Sequence, residues 1–318
     1  MSSRVLLPVA GVLAATVWAV AQQTPPPPPK PDPAQQQGDD TARISVEVTR
    51  VSMLFSVVDR KGRFVTDLTK DDFDVLENKH PQTIQEFAAE SNLPLRLGIL
   101  IDTSNSIRER FRFEQDAAGE FLKDSMRTNN DKAMVLSFDS NAEMVSDLTA
   151  DTDKLDAAIR GLHAGGGTAL YDAIYMACHD KLAQEQPSYK FRRVVVVVSD
   201  GEDNSSQYTR DQALEMALKS DVVIFAISTN MTRIESDGDK VLKYFTQQTG
   251  GRAFFPFKVE DLAQSFEIIA EEVRHQYTLL YRPEPLVADG LFHQVEVRVK
   301  GHKELIVRAR NGYYAPKK

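Results

Sequence analysis

The chain has 318 residues, enough for about two domains. A hydrophobic content of 42% with 26% charged residues fits a folded protein with a core. The formal net charge of −8 argues against a nucleic-acid partner, which normally needs a basic face.

The N-terminus reads as a signal peptide over residues 1–21, which predicts a secreted or periplasmic protein. Arg4 is the charged end, residues 5–20 are the apolar core, and Ala19-Val20-Ala21 is a cleavage site before Gln22. A spanning helix needs about 20 apolar residues, so a membrane is expected only if this segment stays uncleaved. The sole tryptophan, Trp18, lies inside it. Residues 22–42 hold Pro25–Pro29, Pro31, Pro33 and Gln35–Gln37, a Pro-rich extended linker.

Residues 43–92 form a β-rich segment. Val46, Val48, Met53, Phe55 and Val57 alternate with polar residues, giving strands with one buried face. After the turn at 59–62, Phe64 and Val65 resume the strand pattern. Thr69 caps a short helical turn carrying Asp71 and Asp72. Further strands are expected over 74–77 and 82–87.

Residues 93–272 alternate strands and helices. Strands are expected at 95–101, 131–138, 143–148 (an antiparallel edge), 193–199, 222–228 and 253–257. Helices are expected at 109–126, 152–162, 168–184, 209–220, 239–249 and 259–275. The first helix puts Phe113, Ala117, Phe121 and Leu122 on one face. The run Val194–Val198 predicts a parallel strand buried on both faces. Cys178, the single cysteine, sits among Ala173, Ile174 and Ala177 and reads as a small buried hydrophobe.

Residues 273–318 return to strand alternation at 276–281, at Val295, Val297 and Val299, and at Leu305, Val307 and Ala309. Each flanking segment is too small to bury a core alone. The expected fold class is α/β: a doubly wound, mostly parallel sheet of the Rossmann type, inserted in a small discontinuous β-sandwich built by 43–92 and 273–318. Two independent β extensions are the alternative.

Three sequence sites fall at strand ends or helix starts. Asp102, Ser104 and Ser106 form a D-x-S-x-S run after the first strand of the α/β segment. Thr168 follows Gly165–Gly167, and Asp200 stands between Ser199 and Gly201. In an open α/β sheet, loops at the carboxyl ends of strands meet at the switch in strand order. There, three hydroxyls and two carboxylates would face one point. Hard oxygen donors of this kind suit Mg²⁺, with Mn²⁺ or Ca²⁺ open. Taken singly each piece has a plainer reading: a helix cap at Asp102 or Ser104, or an ordinary turn at Asp200-Gly201.

The D-x-S-x-S run, the Thr after glycines and the Asp before Gly resemble the metal-ion-dependent adhesion site of the von Willebrand factor type A family. The resemblance implies that Ser104, Ser106 and Thr168 ligate the metal directly, with Asp102 and Asp200 often acting through water. Two flanking stretches are similar to a secreted bacterial family related to it and abundant in acidobacteria. One runs from Asp59, Gly62, Val65 and Leu68 to Asp72-Phe73, with Glu77 and Gln82 beyond. The other runs from Tyr277–Tyr281 and Pro283 to Arg308–Tyr314.

The expected function is a non-enzymatic binding module, whose metal takes a carboxylate from an acidic side chain of a protein partner. A structural scaffold with a stabilising metal is the alternative. A haloacid-dehalogenase-like phosphatase also places an Asp after its first strand, but it needs an acid/base Asp where Ser104 stands. The six histidines show no metal-ligand spacing. Glu202, Asp203 and Asn204 follow Asp200; they could hold a second cation, but solvated loop residues are the default reading. His163 reads as a loop residue near the glycine run.

Overall fold

In the computed structural model, the described residues are 50–89, 93–107, 111–127, 130–230, 232 and 234–317. The expected signal peptide, the Pro-rich linker and the strand residues Val46 and Val48 lie outside them.

Six strands form the central sheet: β5 (Leu95–Asp102), β6 (Lys132–Phe138), β7 (Ala142–Thr149), β8 (Arg192–Ser199), β9 (Val222–Ser228) and β10 (Ala253–Phe254). Their order is β10-β9-β8-β5-β6-β7. All pairings are parallel except that of β7, the antiparallel edge. The chain winds outward from β5 to β7, then returns to β8 and winds the other way. The switch point therefore falls between β5 and β8, where Ile101 lies opposite Val198.

The valine run explains the layers. Val194, Val196 and Val198 enter one core, and Val195 and Val197 enter the other. The first core is closed by α1 (Phe111–Ser125), α2 (Thr152–Arg160) and α6 (Val259–Arg274). The second is closed by α3 (Leu170–Met176), α4 (Arg210–Lys219) and α5 (Asp237–Thr249). Each fully buried valine contributes roughly 1.5–3 kcal/mol, so a run of this kind fixes the strand between two helical layers.

The flanks interleave. β1 (Val51–Val58) and β4 (Ile84–Ala88) lie with β11 (Tyr277–Tyr281) and β13 (Ile306–Ala309) in a four-stranded sheet ordered β13-β1-β11-β4. β2 (Phe73–Glu77) and β3 (His80–Gln82) lie with β12 (Phe292–Val299) and β14 (Gly312–Tyr314) in a second, ordered β14-β12-β2-β3. Phe55, Phe73, Tyr277 and Val297 share one buried cluster, so the two sheets enclose a common core. The α/β segment is inserted in this sandwich. Buried Glu272 of α6 joins the two parts, accepting from Ser56 Oγ at 2.6 Å and Arg308 Nη1 at 3.1 Å.

Four local expectations change. Phe113 is 51% exposed, and Phe111 is buried in its place, because α1 turns a different edge to the sheet. Phe64 makes only an isolated bridge to Val58. The helix expected over 168–184 is α only for Leu170–Met176, then widens to a π-turn at Ala177–Lys181 and tightens to a 3-10 turn. The strand expected over 253–257 spans Ala253–Phe254.

Candidate metal site

Asp102 is the last residue of β5 and is fully buried. Its carboxylate organises the loop that follows: Oδ1 accepts from Ser104 N at 2.8 Å, and Oδ2 accepts from Ser199 Oγ at 2.7 Å. Ser199 ends β8, so this bond ties the two switch-point strands together at their carboxyl ends. Gly201 N donates to Ser199 Oγ at 3.0 Å, which sets the turn that carries Asp200. Gly201 has φ +80°, and a Cβ there would lie 2.2 Å from Gly238 O, so the turn requires glycine.

The hydroxyls then line up. Ser104 Oγ and Ser106 Oγ are 2.9 Å apart, and Ser106 Oγ donates to Asp200 Oδ2 at 2.9 Å. Asp200 Oδ1 accepts from Glu202 N at 3.1 Å. Hydrogen bonds thus join four of the five expected residues: Asp102, Ser104, Ser106 and Asp200.

Thr168, buried, is held beside them by backbone bonds. Gly165 N donates to Thr103 O at 2.6 Å, and Asn105 Nδ2 donates to Gly166 O at 3.2 Å, so the glycine loop grips the loop carrying Ser104 and Ser106. On its other side Thr168 N donates to Asn204 Oδ1 at 3.0 Å, and Asn204 N donates to Thr168 O at 3.0 Å. No hydrogen bond joins the Thr168 hydroxyl to the other four residues among those described.

Sequence reasoning missed the supporting residues. Ser199 reads as the end of a strand and Asn204 as a solvated loop residue, yet one anchors Asp102 and the other positions Thr168. Only the alignment of β5 with β8 brings Ser199 to Asp102, and no local spacing announces it. Asp203 is committed to Tyr171 N at 3.1 Å and Ser206 Oγ at 2.6 Å. His163 is exposed.

Burial raises the Asp102 pKa to about 6; the bonds from Ser104 and Ser199 oppose the shift, and the charge of Asp200 adds to it. A cation brought near would repay that desolvation. Among the described residues no three His, Cys, Asp or Glu side chains cluster for a metal, so the donor set here is mostly hydroxyl. Adjacent oxygens around an octahedral cation with 2.0–2.1 Å bonds stand about 2.9 Å apart. The Ser104–Ser106 and Ser106–Asp200 spacings, both 2.9 Å, are those of ordinary O–H···O hydrogen bonds and are no wider than that edge.

Residues 97–202 match the family model of the von Willebrand factor type A domain. No curated protein matches the chain. Among solved structures, a von Willebrand factor type A protein from Catenulispora acidiphila is 14% identical with a TM-score of 0.50, covering 77% of this chain and 73% of its own. The PilB minor pilin from Streptococcus sanguinis is 13% identical with a TM-score of 0.47, and 58% of this chain covers 62% of the pilin. Proximal thread matrix protein 1 from the mussel byssus, with a zinc-occupied site of this motif, is 14% identical with a TM-score of 0.49, covering 62% and 49%. Domains of this family commonly bind a divalent metal and generally mediate protein–protein interactions. Among the described residues no helix is long and apolar enough to cross a membrane. Over residues 97–202 the sequence match and the fold agree in their likeness to the von Willebrand factor type A domain.

Proposed function

We propose that Asp102, Ser104, Ser106, Thr168 and Asp200 hold a divalent cation, with Mg²⁺ favoured over Mn²⁺ and Ca²⁺, and that the protein is a non-enzymatic binding module. The observation that carries this reading is the line of oxygens from Ser104 through Ser106 to Asp200, at 2.9 Å steps over the β5–β8 switch point. A small set of mostly neutral oxygens with room for water suits Mg²⁺, which keeps several waters when bound.

Asp102 spends both carboxylate oxygens on the protein, so it acts as the buried charge that orients Ser104 and Ser199. Ser104, Ser106 and Thr168 offer neutral oxygens, and Asp200 offers one oxygen beside Ser106. Neutral donors leave a bound cation electrophilic, able to take a carboxylate from an acidic side chain of a protein partner. Ser104 has no general acid/base capacity at neutral pH, so the residues support binding over phosphoryl transfer.

The reading extends to a secreted or cell-envelope protein, through cleavage after Ala21. Cleaved protein would lack Trp18 and show no tryptophan emission; emission at tryptophan wavelengths from the exported form would overturn cleavage. The function is tested by capture from envelope extract with Mg²⁺ and with chelator. Partners lost on chelation, and lost with Asp200→Ala, support it. An unchanged set of partners sinks it.

A further inference from the structure

Away from this site, a cleft of about 340 Å³ opens where the end of α5 and strand β10 meet β13. Lys243, Arg252, Arg308, Phe255 and Asn311 are among its lining residues. It lies at the C-terminal end of α5, whereas Gly238, at the other end, touches the Asp200 loop. Thirteen residues of helix separate the two ends, about 20 Å.

The cations in this cleft outnumber their partners. Lys243 Nζ pairs with Glu235 at 2.6 Å and lies over the Phe255 ring. Arg308 spends Nη1 on both oxygens of Glu272, at 3.1 Å each, and its Nε and Nη2 make no hydrogen bond among the described residues. The guanidinium of Arg252 has no carboxylate or hydrogen-bond partner among the described residues; it rests on the Phe254 ring, 4.7 Å from the centroid. Two guanidiniums with unused N–H groups thus share one cleft in a protein whose net charge is −8.

A plainer account would have Arg252 serve the carbonyl end of α5. Two of those carbonyls already have donors. Thr246 O accepts from Gly250 N and Gly251 N, and Gln248 O accepts from Asn311 N at 3.0 Å. Burial, and then the like charge of Arg308, hold the Arg252 pKa below its usual value, while Glu272 pulls the other way. Glu272 offsets one of these two positive charges, and an anion in the cleft would offset the other.

We propose that this cleft binds a phosphate group, free or as a phosphoester, between the guanidiniums of Arg252 and Arg308. Planar N–H forks match tetrahedral oxyanions in a way that a lone ammonium does not. The site is independent of the metal reading.

The test titrates the metal-free chain, in chelator, with inorganic phosphate and with glycerol 3-phosphate at constant ionic strength, reading backbone amide shifts at Gly250, Gly251 and Asn311. Saturable shifts with either probe are expected, and the tighter probe names the source. Arg252→Gln should weaken binding at least ten-fold, Arg252→Lys should recover part of it, and Arg60→Gln on an exposed turn should leave it unchanged. Shifts that rise without saturating, or that chloride reproduces, overturn the proposal. So does wild-type affinity in Arg252→Gln.

Discussion

Ser106 Oγ donates to Asp200 Oδ2 at 2.9 Å across 94 residues of sequence. This bond joins the loop after β5 to the loop after β8, so the two halves of the doubly wound sheet share one polar seam. If a cation occupies the seam, it stabilises the folded state by mass action, about 2.7 kcal/mol at a hundred-fold excess over Kd. Titrating Mg²⁺ while following Tm should give a rise in the wild type, a reduced rise in Ser106→Ala and none in Asp200→Ala. Equal rises in all three would refute the assignment.

Asp102→Asn should separate stability from metal binding. Burial raises the folded pKa of Asp102 from 3.8 to about 6. A raised folded pKa favours the protonated form, so this contribution is complete below pH 3.8 and is lost as pH rises through 6. At pH 7.5 the metal-free protein therefore carries a buried charge that Asn removes. The variant's metal-free Tm should equal or exceed the wild type's, with a gain on the order of 1–3 kcal/mol at most. Its Mg²⁺-dependent rise should vanish. A variant less stable without metal but still responsive to Mg²⁺ would contradict this.

Gly238→Ala tests how α5 supports the Asp200 loop. A Cβ at Gly238 would sit 2.2 Å from Asp200 O and 2.8 Å from the Gly201 carbonyl carbon, so backbone must move. Overpacking of this kind costs about 1–3 kcal/mol. Chemical denaturation should show that loss, and metal affinity should fall with it. Retained stability would mean the contact is looser than drawn.

His293 gives the sandwich a pH dependence. Its Nδ1 lies 2.7 Å from Glu77 Oε1 and its Nε2 lies 3.3 Å from Asp289 Oδ1. Burial opposes the charged ring, but the two carboxylates outweigh it and raise the pKa above 6.5. The stabilisation is then complete below pH 6.5 and fades as pH rises through the higher folded value. Asp289 is held below 3.8, by the Leu291 N–H first and His293 among the other causes, so its share is lost only in stronger acid. Between pH 5.5 and 8.5 the wild type should lose about 2–4 °C more in Tm than His293→Gln. Parallel curves for the two proteins would remove His293 from the account.

Cys178 should be inert. It lies in the π-turn that follows α3, fully buried in the core on that side of the sheet, and burial pushes its thiol pKa well above the usual range. Thiol reagents should label it only in denaturant. Stoichiometric labelling of the native protein at neutral pH would show that this part of the core opens.

Sequence alone was enough for the layered α/β architecture, because periodicity is a local property. The run Val194–Val198 is apolar at both parities, and only a strand covered on two faces buries it. The same holds for the flanks, where Val295 and Val297 alternate with exposed residues and are buried as expected. The oxygens of Asp102, Ser104 and Ser106 sit close in sequence and were legible for that reason.

What only the tertiary structure decided are the relations between distant residues. Strand order brings Ser199 to Asp102 and Ser106 to Asp200, and folding of the following loop puts Asn204 on Thr168. Phe111 replaces Phe113 in the core because helical spacing alone leaves the rotation of α1 unset until the sheet beneath it is in place. The Arg252–Arg308 cleft arises where the inserted α/β segment meets a strand from the far end of the chain. Local patterns depend on neighbours in sequence, whereas these sites depend on register and docking, which the whole folded chain sets.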